Sequence, residues 1–80
     1  MKYDEKKVDE MVLALMYLVM HDGSAWKGFD WDSLDRLHEK GLISNPRTKT
    51  KSVRLTLEGE QRSEELFKRH FEIKNDLESS

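Results

Sequence analysis

Cysteine is absent from the chain and proline occurs once in 80 residues. Without cysteine there is no disulfide framework and no thiolate metal site, which fits a reducing, cytoplasmic setting. The longest apolar run, residues 11–20, is ten residues. That is too short to span a bilayer, and the charged stretch before it does not read as a cleaved signal. No sign of charge dominates either: 14 basic against 16 acidic residues leave a net charge of -2. Global attraction to nucleic acid or to a membrane surface is therefore not expected. Eighty residues make one domain, near the lower size at which a single core suffices. We expect that domain over residues 1–78, with a disordered tail at 79–80.

The arrangement of charge says more than its sum. Between residues 44 and 56 stand Arg47, Lys49, Lys51 and Arg54 with no acid, a +4 segment in a remainder of -6. Residues 30–40 have the opposite sign, with Asp30, Asp32, Asp35 and Glu39 against Arg36 and Lys40. A cationic finger is thus expected on an acidic body.

Hydrophobic spacing predicts a first helix over residues 4–21, with Asp4 or Asp9 available as N-cap. Val8, Met11, Val12, Leu15, Met16, Leu18 and Val19 follow a 3.6 period, and Leu13, Ala14, Tyr17 and Met20 widen the stripe almost all round. Such a helix is buried on more than one side, either as a central core helix or in a homodimer. Residues 21–29, with glycines at 23 and 28, read as a loop holding at most one helical turn. Trp26, Phe29 and Trp31 crowd together there. Three large aromatics can stack bases, cage a ligand or dock a protein, but such a cluster more often pins a loop to the core.

A second helix begins near Asp30 or Asp32 and carries Trp31, Leu34, Leu37 and His38 on one face. Gly41 fits the left-handed position after a helix, with Leu42 returning against Leu37. Leu42 and Ile43 open a strand, and Asn45-Pro46 opens a turn. In the return strand Val53 and Leu55 point inward while Ser52 and Arg54 face water. Thr56 caps a last helix that Glu58 and Glu60 favour electrostatically. Gly59 costs about 1 kcal/mol against alanine inside a helix, which argues for close backbone packing at that point. The stripe of this helix continues through Leu66, Phe67, His70, Phe71, Ile73 and Leu77, fraying past Asn75.

Catalytic chemistry has little to stand on. His21, His38 and His70 fall one per segment with no ligand spacing, and no serine lies in a nucleophile motif or glycine-rich phosphate loop. We expect no enzyme activity, metal, cofactor or small-molecule substrate.

The order Gly41-Leu42-Ile43, basic stretch, Leu55-Thr56-Leu57-Glu58-Gly59 resembles the second half of winged-helix regulators such as the MarR and PadR families. The resemblance covers about residues 30–71. It implies a fold that is mainly α with a two-stranded β-wing, a reduced winged helix-turn-helix-like domain in the order α-α-β-β-α. It also implies a recognition-helix position at residues 32–40, with Arg36 and Lys40 as its cations, and a DNA-contacting wing containing Arg47, Lys49, Lys51 and Arg54. The net negative charge of residues 30–40 opposes entry of that helix into a groove, so the wing carries the expectation. The whole chain is also similar to a small bacterial family of uncharacterised proteins, marked by Trp26-Lys27-Gly28-Phe29-Asp30-Trp31-Asp32, by residues 37–43 and by residues 51–56. Two functions follow as expectations. One is DNA-backbone association through the wing, transcription-related and helped by a homodimer. The other is a protein-interaction module that presents Trp26, Phe29 and Trp31.

Overall fold

A computed structural model describes residues 1–73 of the chain. The expected tail at 79–80, Leu77 and the fraying past Asn75 lie outside the described residues. Three helices and a two-stranded antiparallel sheet follow one another as α1 (Glu5–Val19), β1 (Ser24–Trp26), α2 (Trp31–Glu39), β2 (Ser52–Arg54) and α3 (Leu57–Phe71). This mainly helical order fits a reduced winged-helix-like fold.

The partner of β2 differs from expectation. The order is α-β-α-β-α, because residues 24–26, expected as loop, form the strand that pairs with β2, in the register Ser24 to Arg54, Ala25 to Val53 and Trp26 to Ser52. The cause is the Asp22-Gly23 dipeptide. Both residues take positive φ, 54° and 78°, and His21 and Ser24 exchange two backbone hydrogen bonds around them at 2.7 and 3.0 Å. That conformation suits Asp-Gly and turns the chain out of α1 directly into an extended strand. The expected hairpin survives at its base only. Ile43 faces Leu55 in a single antiparallel bridge, with Ser44 N–H donating to Arg54 O at 2.8 Å and Thr56 N–H to Leu42 O at 3.0 Å.

The turn that ends α2 is built as the sequence implies. Gly41 has φ 76°, its N–H donates to His38 O at 2.9 Å, and Leu42 N–H reaches back to Leu37 O at 3.0 Å. This is the paired closure of a helix end by a left-handed residue. Thr56 then locks the junction with α3: its hydroxyl accepts from Gly59 N–H at 3.0 Å and donates to Gly41 O at 2.7 Å. A Cβ on Gly59 would collide with the Leu42 carbonyl. The glycine is therefore a requirement of the close approach between α3 and the chain leaving α2.

The core lies where α1 packs along α3 and, less extensively, on α2, with β1 closing one end. Leu13, Met16, Leu34, Leu37, Ile43, Val53 and Leu66 fill it, and Tyr17, Phe67 and Phe71 stack along the α1–α3 seam with centroids 5.4 and 5.3 Å apart. The broad apolar stripe of α1 is only partly covered. Leu15, Leu18 and Val19 remain exposed, Leu18 at 63%. Among the described residues no helix is long and apolar enough to cross a membrane.

Candidate functional site

The basic stretch between Ser44 and β2 forms the wing, and it is held against the start of α2. Lys27, just past β1, drives its ammonium into the wing backbone, donating to Pro46 O at 2.7 Å and Thr48 O at 2.8 Å. From the other side Arg47 folds down on α2. Its Nη2 donates to Asp35 Oδ2 at 2.6 Å and its Nε to Asp35 Oδ1 at 3.2 Å. The same guanidinium stands 4.9 Å from the Trp31 ring centroid, and the Lys27 ammonium lies 5.9 Å from it. Cations over an indole face are attracted by the ring quadrupole. Pro46, buried beneath them, completes the clasp, and Thr48, Thr50 and Ser52 O continue a chain of short hydrogen bonds along the loop at 2.9 and 3.0 Å.

The clasp sorts the expected contact residues. Lys49 and Lys51 are exposed on the wing and have no acidic partner among the described residues. Arg54 is exposed on β2, its Nη1 donating to Ser24 Oγ at 3.4 Å. Arg47 is engaged with Asp35. Its hydrogen bonds hold the Asp35 carboxyl below the ordinary carboxylate range, while the pair raises Arg47 in turn. The contact is solvent-exposed and therefore exchangeable with another anion.

Arg36 stands elsewhere. Its Nε and Nη2 grip both oxygens of Asp9 at 2.7 and 3.0 Å, and Nη1 lies 3.6 Å from Glu5. Asp9 is only 2% exposed. Burial alone would raise its pKa, but the hydrogen bonds and the positive charge of Arg36 outweigh it, and the net direction is downward. Arg36 thus joins α2 to α1 and is withdrawn from the surface set. Lys40 lines a shallow groove of about 150 Å³ between the helices, over Leu13 and Leu66 and beside Glu58 and Arg62. That groove mixes both signs of charge and is separate from the clasp residues.

The aromatic trio is likewise divided. Phe29 packs on the core, Trp31 sits under the clasp, and Trp26 points outward from β1 at 65% exposure. Among the described residues no group of three His, Asp or Glu is arranged to hold a metal ion. Sequence reasoning missed Lys27 and Asp35, which hold the wing, and Asp9, which anchors Arg36. Asp9 did leave a trace: positions 9, 12, 13 and 16 share one helical face, so an acid stands in the apolar stripe and needs a partner.

Residues 4–73 match the family described as a domain of unknown function, DUF6429. The chain belongs to that family. A relative named uncharacterized protein y4hR, from Sinorhizobium fredii (strain NBRC 101917 / NGR234), is 58% identical over 72 residues, covering 89% of this chain and 97% of the relative. The similarity to a small bacterial family, anticipated from the sequence, is thereby established, and the family's span takes in α1, the clasp and α3 together. No solved structure matches the chain.

Proposed function

We propose that the protein is a cytoplasmic, non-enzymatic binding module of winged-helix type that associates with nucleic-acid phosphates through its wing, in a transcription-related role. One observation carries this reading: Lys49 and Lys51 project unpaired from a loop that Lys27, Arg47 and Trp31 hold in place. Flexible lysines pay an ordering cost on binding, and a loop already fastened at its base pays less. Arg54 extends the cationic edge along β2. Arg47 can join when a phosphate replaces Asp35, because a guanidinium fork fits either anion. The outward acids of α2 and the commitment of Arg36 to Asp9 argue against base reading by that helix, so little sequence preference is expected. The test is a salt titration of affinity. Three or four released counterions per protomer give a log–log slope of about -3 with duplex DNA, and Lys49→Glu with Lys51→Glu should flatten it and abolish binding below the micromolar range. Equal affinity and slope in wild type and variant would reject the wing.

A second reading is favoured by the uncovered ridge Leu15, Leu18 and Val19 on α1. An apolar row on a helix in water marks a protein contact, and a homodimer through this face would double the wing's phosphate contacts. Light scattering at micromolar concentration should give a dimer for wild type and a monomer for Leu15→Glu with Leu18→Glu. A wild-type monomer would remove the doubling.

A further inference from the structure

The outward face of the sheet sets one large aromatic among small hydroxyls and bases. Trp26 stands opposite Ser52, and the Ser24–Arg54 pair, two positions along the ladder, is next on the same face. The six-membered ring of the indole occupies the space beside Gly28, where a Cβ would collide with it. One residue on from Trp26, Lys27 N–H donates to Lys51 O at 3.1 Å, so the exposed indole and the wing lysine are fastened to one ladder. A large aromatic left in water on the sheet face, with Arg54 on that face and Lys51 one residue beyond its partner Ser52, has the layout of a base-stacking platform.

We propose that Trp26 stacks on an unpaired base, and that the ligand of the wing is single-stranded nucleic acid. The inference rests on the wing reading above and adds the class of strand to it. In a duplex both π-faces of every interior base are covered by neighbouring bases, so an indole on a sheet surface has none to meet. Reading the bases of a duplex would need an element in a groove, and α2 turns Asp32 and Glu39 outward, so a duplex offers this surface its phosphates alone. An unpaired strand offers phosphates to Lys49, Lys51 and Arg54 and a bare base to Trp26. A protein partner would instead seek contiguous apolar surface, whereas the sheet-face neighbours of Trp26 are Ser24, Ser52 and Arg54.

The test uses a labelled oligothymidylate of about 12 nucleotides, alone and annealed to its complement. Anisotropy should show the single strand bound at least about fivefold more tightly than the duplex. Trp26→Ala should erase that preference and leave weak, salt-sensitive binding to both forms. Gly28→Ala, which keeps the indole but displaces it, should reduce the preference in a folded protein. The chain has two tryptophans, and the emission of the wild type should be quenched as the single strand saturates, a quenching that Trp26→Ala, with Trp31 still in place, should lose. Single-strand binding that is lost in Lys49→Glu with Lys51→Glu but unchanged by Trp26→Ala would overturn the stacking site while the wing stands. Absence of binding to either form by the wild type at low salt would overturn both.

Discussion

Asp9 shows what a single buried charge does to this small domain. It sits 2% exposed in the interface of α1 with α2, and the two-pronged grip of Arg36 satisfies both its oxygens. Replacing Asp9 by Ala discards two charge-assisted hydrogen bonds and strands a cation at the helix interface, a loss of about 2–3 kcal/mol that urea unfolding will measure. The pH dependence follows from the sign of the shift. The folded carboxyl lies below its ordinary value of 3.8, so its contribution is complete above that value and is lost as pH falls through the folded one. Asp35, also lowered by Arg47, acts in the same window. Asp9→Asn should therefore unfold less steeply with acid below about pH 4 than wild type, read by circular dichroism. At Gly59 the constraint is volume. Because a Cβ would meet the Leu42 carbonyl, Gly59→Ala should cost about 3 kcal/mol and lower Tm by about 12 °C or more. An unchanged Tm would mean that α3 and the α2 exit can separate cheaply.

Elements were legible in the sequence where local chemistry closes them, and obscure where partners come from afar. The left-handed Gly41, the Thr56 cap and the inward Val53 and Leu55 follow from residues a few positions apart, and a glycine inside a helix flagged the close approach at Gly59 without naming its partner Leu42; the structure has each. Strand β1 was readable only through Asp22-Gly23, a hairpin dipeptide whose strand lies after the turn with no second strand beside it in sequence. Its partner is 26 to 30 residues away, and three-residue strands show no periodicity of their own. The clasp was hidden for the same reason: Lys27 bonds carbonyls 19 and 21 residues distant. Carbonyls carry no sequence signature. The wing's order depends on that ammonium, so Lys27→Met should raise hydrogen-exchange rates across residues 47–51 while leaving the exchange of α1 and α3 and the global Tm unchanged. Protection unchanged in the wing would show that Arg47 and Trp31 suffice.

At the scale of the whole molecule, the wing is a stretch of bases without acids on a body of mixed charge. Wing lysines without an acidic partner, Arg54 and the exposed indole occupy the sheet side, α2 carries outward Asp32 and Glu39, α1 and α3 mix exposed acids with bases, and the bare apolar ridge lies on α1. Arg36 and Lys40, plausible contact residues from their type alone, serve the helix interface and the inter-helix groove, because residue type does not reveal which neighbour a long side chain will find. Since net charge is -2, attraction to a polyanion has to come from that stretch of bases and should fall quickly with salt. The most direct measurement is a map of backbone amide shifts as nucleic acid is added to the isotope-labelled protein at low salt. Saturable changes concentrated at Trp26, Lys49, Lys51 and Arg54, with the outer residues of α2 and the α1 ridge unmoved, are the predicted result. Changes confined to α2 or to Leu15 and Leu18, or none at all, would contradict the account.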